Sequence, residues 1–157
     1  MAKSYFKDKD MTPNDMVVYG LDHIDAGFKL FQDPTHFDSG GYLIHIGYEC
    51  MLKGWWLEIN GSFIEGHDLI KITENIPSFR YKSLPSEIQK TIDIVNSYKY
   101  LRYPNYEKPT EVGTEDLESI QDLVQHTLEV MPSHLYEKKS GPFATKGKRI
   151  LMKRKID

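Results

Sequence analysis

The chain has 157 residues, 39% hydrophobic and 27% charged, with a net charge of −3; this suits one domain with one core and excludes a disordered polyampholyte. Its one cysteine, Cys50, excludes an intramolecular disulfide and a cysteine-based zinc cluster, and its apolar neighbours fit a reduced, buried thiol. The first residues, Met1 to Asp8, lack the apolar run of a signal peptide, and no segment reaches the roughly 20 apolar residues of a membrane span, so a cytoplasmic protein with no membrane partner is expected.

The first helix is announced by Thr12-Pro13-Asn14-Asp15: a capping hydroxyl, proline at the first helical position and an acid in the first turn. The apolar stripe Val17, Leu21, Ile24, Phe28, Phe31 follows. Asp33-Pro34 should stop it, and a loop containing Gly40-Gly41 should lead into a central helix from Tyr42 to Asn60. In that segment two apolar series run side by side: Leu43, Ile46, Gly47, Cys50, Gly54, Leu57 and Ile44, Tyr48, Met51, Trp55, Ile59. Only His45, Glu49 and Lys53 form a polar strip, with Glu49 placed N-terminal to Lys53 for a helical ion pair. So wide an apolar circumference must be covered by neighbouring helices or by a second subunit. Simple core packing explains it; a homodimer interface through Gly47, Met51, Gly54 and Trp55 is the functional alternative, since the two glycines would let another helix come close.

Asn60-Gly61 supplies the chemistry of a helix end. A short helix is expected over 67–72, and a further helix opens at Leu84-Pro85-Ser86-Glu87, carries Ile88, Ile92 and Val95, and ends before Pro104. After a polar loop, Thr114 is expected to cap a last helix with the stripe Leu117, Ile120, Val124, Leu128, Met131, which Pro132 ends or kinks. The expectation is an all-α, up-and-down bundle of four long helices plus one short helix over residues 1–137. Residues 138–157 form a separate basic tail of +7, with eight Lys/Arg (Lys138, Lys139, Lys146, Lys148, Arg149, Lys153, Arg154, Lys155) against Asp157, while the preceding residues sum to −10. Such a tail either reaches for a polyanion such as RNA or folds onto an acidic protein surface.

Gly41-Tyr42-Leu43-Ile44-His45-Ile46-Gly47-Tyr48-Glu49-Cys50-Met51-Leu52-Lys53-Gly54, then Gly66-His67-Asp68-Leu69, then Leu101-Arg102-Tyr103-Pro104 and a final Thr-headed helix, resemble in order and spacing the HEPN domain over about residues 12–132. The resemblance implies a bundle of about five helices, frequent homodimers, and roles in RNA cleavage, nucleotide binding, toxin–antitoxin modules or phage defence, often beside a nucleotidyltransferase-type partner. Nuclease members carry an Arg and a His separated by four to six residues. None of Arg80, Arg102, Arg149 and Arg154 has a His at that spacing, so the nuclease pair is absent.

His67-Asp68 could be an acid–base pair in which the carboxylate orients the imidazole; a cap on the short helix needs only one polar side chain there and is the simpler reading. Arg102 with Tyr103, Asn105 and Tyr106 could hold a phosphate and stack a base; the structural alternative is an arginine on the last helical carbonyls and tyrosines packing the loop. His45 with Glu49, joined by His126 or His134, lacks the HExxH pattern and carboxylates of a metal site, and neither a phosphate loop nor a nucleophile elbow occurs, so no metal or cofactor is expected. The expected function is a non-catalytic, dimeric module that binds a nucleotide, RNA or a partner protein, in which Arg102, Tyr103, Tyr106, His67 and Asp68, with Lys146, Lys148, Arg149, Lys153 and Arg154 of the tail, are the nucleotide- or RNA-binding candidates. An RNA-cleaving enzyme with a non-standard pair and a purely structural subunit are the alternatives.

Overall fold

The computed structural model describes residues 12–104, 107 and 109–137. Five α-helices and no strand occur among the described residues: α1 (Pro13–Leu30), α2 (Phe37–Asn60), α3 (Leu69–Glu74), α4 (Ser86–Ser97) and α5 (Leu117–Val130), linked by short 3-10 turns. The capping box at the start of α1 is closed in both directions, with Thr12 Oγ1 accepting the Asp15 N–H at 3.1 Å and the Asp15 carboxylate accepting the Thr12 N–H at 3.2 Å. The α1 stripe of Val17, Leu21, Ile24, Phe28 and Phe31 is buried throughout.

Helix α2 begins five residues before the expected Tyr42, so Gly40 and Gly41 are helical rather than loop. They are there for closeness. A Cβ on Gly40 would meet the carbonyl oxygen of Gly27 at 2.9 Å, and one on Gly27 would meet that of Gly40 at 2.8 Å. One heptad along, Gly20 and Gly47 oppose each other in the same way, and Gly54 lies against the Pro13 carbonyl, so α1 and α2 run antiparallel in constant register with their backbones nearly touching. This corrects the dimer-interface assignment: Gly47, Met51, Gly54 and Trp55 are buried inside the chain, the glycines under α1. The helix that the glycines admit is the chain's own.

Ile44, Tyr48, Met51, Leu52 and Trp55 form the middle of the core, whereas Leu43, Ile46, Cys50 and Leu57 stay half-buried and Ile59 is exposed. Burial, more than the neighbouring Glu49 charge, pushes the Cys50 thiol up to about 11. Gly61 closes α2 with φ 66°, and its N–H bonds the Leu57 carbonyl at 2.8 Å.

Asp68 caps α3, its carboxylate accepting the Ile70 N–H at 3.0 Å. The side chain of Asn96 then pins this start to α4, accepting the Leu69 N–H at 2.9 Å and donating to Asp68 at 3.3 Å. Helix α4 buries Ile92 and Val95 and runs directly into the 3-10 segment Tyr98–Arg102. Thr114 does not cap α5: it opens a 3-10 turn, and the residue at the head of α5 is Asp116, with no side-chain cap bond. The α5 stripe is nevertheless buried as the periodicity requires. Tyr48 of α2 donates its hydroxyl to Thr127 Oγ1 of α5 at 2.9 Å, since the Thr127 proton is already given to the Leu123 carbonyl at 2.7 Å.

Candidate nucleotide-binding cleft

The polar strip of α2 does not face solvent. His45 and Lys53 are only 3% and 5% exposed, because the loop from Gly61 to Asp68 and the Tyr98–Arg102 segment fold over that side of the helix. Gly41 permits the second of these, for its missing side chain leaves room for Leu101 and Tyr98 to rest on α2. Together these elements enclose a cleft of about 640 Å³, within the usual size of ligand sites, whose walls include His45, Glu49, His67, Lys99, Arg102 and Tyr103.

Glu49 organises the inner wall. One carboxylate oxygen takes the Lys53 ammonium at 3.2 Å, satisfying the i, i+4 pair expected from the sequence. The other accepts from His67 Nδ1 at 2.9 Å. A carboxylate only accepts, so His67 carries its proton on Nδ1 and keeps Nε2 as its remaining polar atom. The Lys53 ammonium also sits 4.8 Å from the centre of the Phe63 ring, so a second residue of the loop rests on the same buried charge. His45 Nε2 donates to the His67 carbonyl at 3.2 Å. Desolvation holds His45 below its ordinary value of 6.5, against the opposing pull of Glu49.

The outer wall is basic and aromatic. Lys99 lies 5.2 Å from the centre of the Tyr100 ring and Arg102 lies 5.7 Å from that of Tyr103. Both rings are held out to solvent, Tyr100 at 57% and Tyr103 at 70% exposure. The arrangement offers cations for an anion, ring faces for a planar group, and an imidazole held by a carboxylate.

Of the expected site residues, the structure brings His67, Arg102 and Tyr103 to one cleft. Asp68 does not orient His67: its carboxylate caps α3 and bonds Asn96, and the orienting carboxylate is Glu49. Tyr106 and Asn105, with Lys146, Lys148, Arg149, Lys153 and Arg154, lie outside the described residues. His126 packs beside Phe79 and His134 pairs with Glu58 at 3.3 Å, so neither joins His45 and Glu49. Lys99, Tyr100 and Tyr42 were missed as site residues. The alternation Lys99-Tyr100-Leu101-Arg102-Tyr103 was the signal for the first two; nothing local marks Tyr42. Compared with known protein families, curated proteins and solved structures, the chain shows no significant match.

Proposed function

We propose that this chain is a HEPN-like helical bundle, dimeric, that binds a nucleotide or single-stranded RNA in the α2 cleft without cleaving it. The observation that carries the reading is the joining of Lys99 and Arg102 with the exposed rings of Tyr100 and Tyr103 around one cavity. Cations for the phosphate and ring faces for the base are the two things a nucleotide needs, and stacking tolerates any base. The HEPN part of the reading rests on the sequence resemblance, with which an all-α architecture is compatible. With Gly47, Met51, Gly54 and Trp55 covered by the chain itself, a dimer would use another surface. A toxin–antitoxin or defence setting with a nucleotidyltransferase-type partner follows from the resemblance alone.

The test is titration of the full chain with ATP and with a short RNA, followed by tyrosine fluorescence. Arg102→Ala should weaken both by about tenfold or more, the worth of a charge-assisted hydrogen bond. Neutralising Lys146, Lys148, Arg149, Lys153, Arg154 and Lys155 should weaken only RNA and flatten its salt dependence. Unchanged affinity in Arg102→Ala would remove the cleft from ligand binding.

One observation favours a second reading, RNA cleavage. The 2.9 Å bond from His67 Nδ1 to Glu49 leaves Nε2 as the ring atom for acid–base work, in the cleft that Arg102 lines. Labelled RNA incubated with the wild type, His67→Ala and Arg102→Ala decides it: cleavage lost in both variants establishes the enzyme, cleavage kept in both points to a contaminant or another site, and no cleavage by any of the three favours the binding module.

A further inference from the structure

A second cavity of about 410 Å³ opens on the far side of the same tyrosines, sharing Tyr100, Tyr103 and Pro104 with the first. The two cavities adjoin at these shared residues as two halves of one candidate site, with the tyrosines at their boundary. Their chemistry differs. The first half holds Lys99, Arg102 and two imidazoles beside Glu49, whose carboxylate is already taken by Lys53 and His67; among the described residues the only charge on the second is the carboxylate of Asp38, from the first turn of α2, with the hydroxyls of Thr110, Tyr100 and Tyr103 in the same lining. An ionised carboxylate accepts hydrogen bonds and repels phosphate, so the second half suits the part of a ligand that carries donors and no negative charge.

Building on the nucleotide reading of the cleft, we infer that the second half reads the base and selects guanine. A guanine nucleotide with its phosphate at Lys99 and Arg102 lays its ring over the tyrosine wall and turns its N1–H and N2–H donors to the two Asp38 oxygens. Guanine alone among the common bases presents two adjacent donors on that edge. Adenine places an unprotonated N1 beside its amino group, which a carboxylate repels, and uracil places one N–H between two carbonyls. A carboxylate that accepts from a base amino group is an established way of reading sequence.

The experiment is calorimetric titration of the full chain, wild type and Asp38→Asn, with GMP, AMP and inorganic phosphate at one ionic strength. Asp38 is exposed, and circular dichroism checks that the variant keeps its helices. The wild type should prefer GMP over AMP by about tenfold or more, the discrimination of one bidentate base contact. Asp38→Asn should bring the two nucleotides to within about twofold while leaving phosphate affinity unchanged, because the anion sits in the other half. Equal binding of GMP and AMP by the wild type overturns the guanine inference and leaves nucleotide binding standing; failure of both to bind overturns the two together. RNA trinucleotides with and without one guanine extend the comparison: a preference strengthened in the trinucleotide identifies a strand as the ligand, and one confined to GMP identifies a free nucleotide.

Discussion

At His45 burial and charge pull on the same proton in opposite directions. Desolvation holds the imidazole neutral, Glu49 on the next turn and the hydrogen bond to the His67 carbonyl favour the cation, and the charges of the His67 ring and Lys99 add to the burial effect. The folded value lies below 6.5, so as pH falls through 6.5 the unfolded chain takes up the proton first and stability drains away, until the folded value is passed and the loss levels off. Above 6.5 the residue contributes its full share. The urea midpoint of the wild type should therefore fall from pH 7.5 to pH 5 more steeply than that of His45→Gln; parallel curves would show that His45 is not the group responsible. The sequence could show part of this cluster. Glu49 and Lys53 are one helical turn apart and their pairing is readable from spacing alone. His67 is not, because it reaches Glu49 only after the chain has turned at Gly61 and come back along α2, and its sequence neighbour Asp68 was the more obvious partner.

At the scale of the helix, the α1–α2 pair inverts the ordinary rule for glycine. In an exposed helix a Gly→Ala change gains up to about 1 kcal/mol by restricting the unfolded chain. Here a Cβ on Gly20 is driven into the Gly47 carbonyl oxygen, and one on Gly47 meets the Ile24 backbone nitrogen at 2.9 Å; backbone cannot move aside as a side chain can. Gly20→Ala and Gly47→Ala should each cost about 1–3 kcal/mol as overpacking, read as a fall in the urea midpoint with the slope unchanged. A gain in either would mean the helices are further apart than described. The same rule explains which boundaries were legible. The start of α1 was, because Thr12, Pro13 and Asp15 act within one turn. The start of α2 was not, because Gly40 and Gly41 look like loop residues until α1 and Leu101 are seen lying against them. Thr114 failed as a cap for the opposite reason: local preference favoured it, and a 3-10 turn took the position.

Across the whole molecule, apolar periodicity was enough to find the helices and most of the core, since every stripe residue of α1 and α5 is buried. It was not enough to say which face of α2 meets α1 and which lines a cleft. That choice rests on contacts between residues distant in the chain, such as Asn96 with Leu69 and Tyr48 with Thr127. The most distant of all involves Asn14. Its side-chain amide lies within hydrogen-bond distance of three carbonyls at the other end of the described chain, at 3.0 Å from His134, 2.9 Å from Leu135 and 3.1 Å from Glu137. The helical body is thus nearly a closed ring, its first turn and its last held at one point. Where the polypeptide is cut should then matter little. A circular permutant that joins Glu137 to Thr12 through a short Gly/Ser linker, with new termini between Pro109 and Gly113, should still unfold in a single cooperative transition. Loss of cooperativity would show that the ring is held by its linear connectivity rather than by its packing.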